Sequence, residues 1–457
     1  MRRYSGTDFP LLEHGTAIRA HDEGAIQRIA PSFVRRTIAG GALSGIHLSR
    51  PPTARASSRL TPMDRRTALR TALRSLSAAA LTTLAAPAVL RGRYRLFADS
   101  PVEYSARTIA LIRESTVIDM LCQFAFEDFR KDDIPLATRW LRDPAAFTAK
   151  HFATFRDSGV SVLALGSGPG TYDDAMKFYA QWNGFIASHA DWFTRIDDAD
   201  DLRVVKPSGK VGIMLTAQIS DHFRTPDDVD TFYSLGQRVS QLTYNMQSRI
   251  GAGFLEHRDG GLSAFGHSIM ARMEQVGMVV DLSHCADQTT LDALAAATRP
   301  PIFSHASSRA LMPSCPRCKS DDALKQLAAK GGVVGIPMIR FMIRPAPPVT
   351  VEHVADHVEH LFTLIGPDHV GIGSDLDMAG LANPRPRTGA PAVLGQPNFS
   401  RYGAYFAENG GAHVDGLDHP KRIFDLTEAM VKRKHSDGNI KLLLGGSFAR
   451  VLSATWK

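Results

Sequence analysis

Residues 278–285 read MVVDLSHC: an apolar run closing on Asp281, Ser283, His284 and Cys285. A run this continuously apolar predicts a strand buried on both faces. Such a strand ending on an imidazole and a thiol has two readings. His284 is either a core histidine whose ring nitrogens are satisfied by neighbours, or a metal ligand at the mouth of a barrel. The rest of the chain separates them.

Seven further runs share the character of 278–284: STVIDML (115–121), VSVLALGS (160–167), KVGIMLTA (210–217), VSQLTYN (239–245), PIFSHAS (301–307), GGVVGIPM (331–338) and HVGIGSDLD (369–377). Amphipathic stretches separate several of them, among them 262–277, 320–332 and 349–366. In the last, Val351, Val354, Val358, Leu361 and Ile365 recur at helical spacing. Strands alternating with helices imply a parallel sheet, and eight such strands predict an α/β fold of the (β/α)8 TIM-barrel type. In such barrels the site lies at the C-terminal strand ends. Gln218 follows the third run, and Tyr244, His284, His305 and Asp375 lie in the fourth, fifth, sixth and eighth. Two histidines and an aspartate at one rim are better explained as a site than as three separate core residues. Neutral imidazoles bind zinc, and a nearby carboxylate can take a proton from water.

Composition narrows the function. Of 457 residues, 44% are hydrophobic and 22% charged, ordinary for a soluble globular chain. The net charge of +7 is unevenly spread: residues 1–93 hold 15 Arg, no Lys and 5 acidic residues, so the remainder is slightly acidic. The basic excess therefore belongs to the leader, and no nucleic-acid partner is expected. From Met63, the pair Arg65-Arg66, a small-residue apolar region over 76–90 and the APA at 86–88 have the layout of a bacterial twin-arginine export signal. The expected organisation is a poorly structured or mis-started extension over 1–62, a signal segment over 63–90 and one barrel domain over 105–457. The expected destination is the periplasm or the exterior. The apolar part of the leader is short for a bilayer, and no other stretch has the ~20 apolar residues of a membrane span. The four cysteines are Cys122, Cys285, Cys315 and Cys318. The CPRC run at 315–318 fits a disulfide or redox pair in an exported protein, and an ordinary loop more simply.

Four segments resemble the membrane dipeptidase (renal dipeptidase) family of zinc peptidases: 261–284, 300–336, HVGIGSDLD at 369–377 and LLLGGSFARVL at 442–452. The resemblance runs from about residue 108 to 454. It implies an amidohydrolase-like barrel, usually with two bridged zinc ions, that hydrolyses dipeptides. His284 and His305 match the two histidines that hold the second zinc. Arg317 falls where the family grips the dipeptide carboxylate, with Cys318 in place of the usual following asparagine. Asp375 matches the aspartate of the eighth strand, which meets a metal or the proton of the scissile amide.

The first half departs from that pattern. Leu121 and Gln123, in DMLCQ (119–123), stand at the two first-metal ligand positions. Gln218 stands at the bridging glutamate and Tyr244 at the histidine of the fourth strand. Glu127, Asp128, Asp221 and His222 lie nearby and could absorb one shift of alignment, not four. The resemblance thus implies one zinc rather than two, or none, held by His284 and His305 with Gln218 as a weak third ligand. Asp375 would be a fourth bond or the general base, and Tyr244 a donor to a developing oxyanion. Cys122 or Cys285 could replace a ligand as thiolate. The expected partners are a dipeptide or other small substrate and, as an open alternative to a monomer, a second copy of the chain. Two readings compete with dipeptide hydrolysis: an inactive barrel that captures a small carboxylate at Arg317, and deacylation of an N-acyl amino acid.

Overall fold

A computed structural model describes residues 93–94, 103–124, 136–167, 170–378 and 414–456. Eight parallel strands close into a barrel: β1 (Ile118–Asp119), β2 (Val162–Ser167), β3 (Val211–Ala217), β4 (Gln237–Gln241), β5 (Val279–Asp281), β6 (Ile302–Phe303), β7 (Val333–Ile336) and β8 (Val370–Ile372). β8 pairs with β1 through Ile372 and Asp119, and β1 with β2 through Ile118 and Val162. Six consecutive pairs, Val162–Gly212 to Ser167–Ala217, bind β2 to β3. Seven of the runs predicted from sequence contain one of these strands, and the run 239–245 overlaps β4 only at Val239–Gln241. The barrel is of the (β/α)8 TIM type, as the alternation predicted.

A ninth strand, Phe193–Arg195, pairs with Val211–Ile213 on the edge of β3 that β4 occupies higher up. It is too short to have shown a pattern in the sequence. The three quoted amphipathic stretches form helices Ala264–Val276, Asp321–Ala329 and Val351–Ile365.

Strand alternation divides the apolar residues between two packing zones. Val162, Ala164, Met214, Val239, Val279, Ile302 and Val333 pack inside the barrel with Phe448, Val451 and Leu452 of the C-terminal helix Ser447–Thr455. Leu163, Leu165, Ile213, Leu215, Val280, Phe303 and Val334 pack outward with the surrounding helices. Phe448 fits because β8 carries Gly371 there: a Cβ at that position would lie 2.4 Å from the phenyl ring.

Two buried aspartates fasten the strand ends in the same way. Asp119 accepts from Leu121 N at 3.3 Å, Ser374 N at 2.8 Å and the Ser374 hydroxyl. Asp281 accepts from Ser283 N at 3.0 Å, Ser304 N at 3.0 Å and the Ser304 hydroxyl. β1 is thereby tied to β8, and β5 to β6, on different sides of the barrel. Asp119 also faces Arg422, whose Nη2 is 3.6 Å from Oδ2 with both side chains sealed from solvent. Burial pushes the Asp119 carboxyl up, and Arg422 and Ser374 oppose that.

Among the described residues no helix is long and apolar enough to cross a membrane. The leader over 1–62, the twin-arginine segment over 63–90, Glu127 and Asp128 lie outside the described residues.

Breaking a buried ion pair from one side leaves an uncompensated charge, typically a loss of about 3–5 kcal/mol. Arg422→Met is expected to lower the stability of the chain by that order in urea unfolding at neutral pH. Asp119→Asn in the same chain should restore part of it. An unchanged midpoint for Arg422→Met would contradict the role given to this pair.

Candidate active site

The strands stop short of the residues expected to act. β4 ends at Gln241, β5 at Asp281, β6 at Phe303 and β8 at Ile372, so Tyr244, His284, His305 and Asp375 occupy the first turns beyond them. This corrects their expected placement inside the strands. It also explains their geometry, because residues past the ladder can turn toward a common point.

His284 and His305 do so. Their Nε2 atoms lie 2.9 Å apart and both rings are buried. The far nitrogens decide what that contact means. His284 Nδ1 is 2.7 Å from the Asn245 Oδ1, an acceptor only, so Nδ1 carries the proton. His305 Nδ1 is 2.8 Å from the Ser304 hydroxyl oxygen. That hydroxyl gives its own proton to Asp281, the stronger charged acceptor, so His305 Nδ1 is also the donor. Both Nε2 lone pairs therefore face each other. Burial and the nearby Arg317 and Lys319 push both imidazoles well below their ordinary pKa, which keeps a proton from settling between them at neutral pH. Two opposed lone pairs with fixed tautomers are the arrangement that receives a metal ion.

The second face of His284 is covered. Tyr244 stacks on it with ring centroids 4.3 Å apart and planes 19° apart. The loop that follows holds this ring in place: Phe254 N donates to His284 O at 2.9 Å, and Gly253 lies so close that a Cβ would sit 2.0 Å from Tyr244 O. Tyr244 remains 37% exposed, so it lines the open mouth. Burial of the hydroxyl end and the charge of Asp375 push its pKa up to about 12, so it stays a phenol and a donor.

Asp375 adopts φ +58°, the left-handed region, uncommon outside glycine although aspartate tolerates it better than most residues. Asp375 N donates to Leu121 O at 2.8 Å, and Ser374 next to it is tied to Asp119. Strain of this kind tends to gather at functional sites. Desolvation pushes the Asp375 carboxyl up to about 7, against the pull of Arg317.

Arg317 is buried, and its guanidinium donates to the carbonyls of Ser283 and His305, the latter at 2.9 Å. The sequence placed it as a carboxylate grip. The structure adds that it braces the backbone of both histidine-bearing turns. Five N–H groups on the guanidinium leave donors beyond these two bonds. Lys319, two residues on, is also buried: Nζ donates to Cys285 O at 2.7 Å and Thr290 Oγ1 at 3.0 Å, and burial lowers its pKa to about 7. Neither Lys319 nor Asn245 was singled out by sequence. Asn245 adjoins Tyr244, but nothing in the linear pattern aims its amide at a ring 39 residues away.

The first-metal side is filled differently. Leu121 and Gln218 meet above β2, where a Cβ on Gly166 would lie 2.2 Å from Leu121 Cδ1 and 2.7 Å from Gln218 Nε2. Among the described residues no polar contact joins Gln218 to either histidine, and no group of three or more His, Cys, Asp or Glu is suited to a metal. Burial raises the Cys122 thiol to about 12 and raises that of Cys285. His222, a candidate for an alignment shift, is buried with Nε2 on Gln237 at 3.1 Å. The two imidazoles are chemically suited to hold an ion, and Leu121 offers no lone pair to one.

This barrel, with its working residues past the strand ends, is of the amidohydrolase type. An amidohydrolase from Pseudomonas aeruginosa superposes with a TM-score of 0.63 at 25% identity, over 76% of this chain and 99% of that one. Residues 173–384 match the family described as Membrane dipeptidase (Peptidase family M19). Dipeptidase tcpJ of Claviceps purpurea is 30% identical over 261 residues, 56% of this chain and 53% of its own. Dipeptidase verJ of Clonostachys rogersoniana is 32% identical over 252 residues, 54% and 56% respectively. The chain thus spans about half the length of the curated relatives it matches.

Between the ordinary carboxylate range and about 7, the folded chain keeps a proton on Asp375 that the unfolded chain has lost. Stability contributed at this group therefore falls as pH rises through that window. Asp375→Asn should gain stability over the parent as pH rises from about 4 to about 7, and hold a constant advantage above it. Parallel unfolding curves at all pH values would contradict the shift.

Proposed function

We propose that the barrel hydrolyses a dipeptide or a related small amide with one zinc ion on His284 and His305. The observation that carries this reading is the 2.9 Å approach of two Nε2 atoms whose Nδ1 protons are committed elsewhere. The relatives named as dipeptidases support the substrate class. When bound, the ion would supply Lewis-acid polarisation of the scissile carbonyl.

The chain's own groups supply the rest. A carboxyl titrating near 7 suits general base catalysis at neutral pH: Asp375 takes a proton from the attacking water and returns it to the departing amine. Tyr244, protonated and exposed at the mouth, donates to the oxygen on which charge develops. Arg317 holds the histidine turns and presents its remaining N–H groups to a substrate carboxylate. Leu121 and Gln218 stand where the resemblance expects first-metal ligands, which supports a single ion. The same feature favours the second reading, a barrel that captures a small carboxylate without turnover.

Purified without chelator, the chain is expected to hold about one zinc and to hydrolyse dipeptides in a chelator-sensitive way. His305→Ala should lose both. Full metal content and turnover in His305→Ala would overturn the site, and zinc-free protein that binds a carboxylate without turnover would establish the second reading. Tyr244→Phe should lower kcat by about 100–1000-fold with metal content unchanged, the range for loss of one oxyanion donor. An unchanged kcat would remove Tyr244 from the chemistry.

A further inference from the structure

The turn that carries Arg317 belongs to a loop closed at its base. Arg309 N donates to Lys319 O at 2.8 Å, and Lys319 N to Ser307 O at 2.8 Å. Within it two successive turns, Cys315 N to Met312 O at 3.1 Å and Cys318 N to Cys315 O at 3.0 Å, bring Met312, Cys315 and Cys318 into register at every third residue. Met342, from the short helix Arg340–Ile343, completes a group of four sulfur side chains. They pack as a cluster of their own, apart from both zones of the barrel core, each at most 4% exposed. Leu311, Pro313, Ser314 and Pro316 of the same loop are exposed, so the sulfurs lie one residue beneath the surface.

We propose that Cys315 and Cys318, with Met312 and Met342, form a binding site for one Cu(I) ion. Thiolate and thioether sulfur together select this soft ion. Zinc in structural sites takes four ligands from Cys, His and carboxylates, and among the described residues no such group exists here. Binding exchanges two thiol protons for the ion and leaves one net negative charge on the bis-thiolate. Two cations stand beside it. Arg317 lies between the two cysteines, and Arg309 donates to Cys318 O at 2.9 Å while pairing with Asp287. A hydrogen bond from Cys318 lowers the pKa of Cys315, and the positive charge of Arg317 acts in the same direction. Plain packing also uses Met and Cys, being apolar and adaptable. It does not require that every buried member of a separate cluster be a sulfur ligand, two of them hydrogen-bonded thiols. An ion here would fix the turn bearing Arg317. The proposal is independent of the hydrolase reading.

The test uses the full chain, reduced with a phosphine and kept free of oxygen, and offers Cu(I) as its bicinchoninate complex. The expected result is withdrawal of one equivalent, with only sulfur neighbours at the copper absorption edge. Cys315→Ser should abolish it. Met342→Leu conserves volume and should fold normally, yet weaken binding by at least the roughly tenfold typical of a lost partner around a metal. His305→Ala should leave binding unchanged. The proposal is overturned if the reduced chain withdraws no copper while Cys315 and Cys318 react as free thiols after unfolding. It is equally overturned if the copper shows nitrogen neighbours and is lost in His305→Ala.

Discussion

A buried carboxylate sets the chemistry of this rim before any ligand arrives. Asp281 takes the protons of two serine hydroxyls, Ser283 and Ser304, and two backbone N–H groups. With the Ser304 proton spent, the oxygen of Ser304 can only accept from His305, and the far nitrogen of that ring is left bare. Asn245 imposes the same state on His284 from the opposite side. The state of both imidazoles is thus set by groups that lie behind them. An unpaired change at Asp281 would cost a strand tie and a histidine tautomer together.

The companion tie at Asp119 supports the opposite side of the barrel. The carboxylate, Ser374 and Arg422 remain as a sealed network beneath the rim. Above it an isobutyl group and a carboxamide fill the space over Gly166. A leucine has no lone pair to offer, and an amide oxygen is a weak ligand without charge. The rim is therefore polarised: the turns after β5 and β6 carry the two imidazoles, and those after β1 and β3 carry Leu121 and Gln218. Asp375 joins the two, since its backbone is anchored to Leu121 while its carboxyl feels Arg317.

Much of this was legible in the linear sequence because strands buried on both faces print continuous apolar runs, and eight of them were visible. The two histidines stood out because polar residues rarely close such runs. Other features left no such trace. The strand Phe193–Arg195 is three residues long and carries no periodicity. Asn245 reads as an ordinary loop residue until the Gly253 turn folds back on Tyr244. Arg317 could be matched to a substrate grip by motif, but its hold on Ser283 O and His305 O depends on a closed loop that sequence spacing does not encode. Further ligand positions are no more legible in the sequence. Proximity in the alignment of Gln218, Cys122 or Cys285 to the rim says nothing about which way each side chain turns.

The central claim is that both imidazoles are Nδ1–H tautomers whose bare Nε2 atoms share one ion. Nitrogen-15 spectra of the histidine side chains, recorded before and after addition of one equivalent of zinc, test it directly. Two Nδ1–H tautomers without zinc, with both Nε2 signals shifting together as it binds and the Nδ1 protons retained, is the predicted result. A proton on one Nε2 donated to the other ring, undisturbed by zinc, would contradict it.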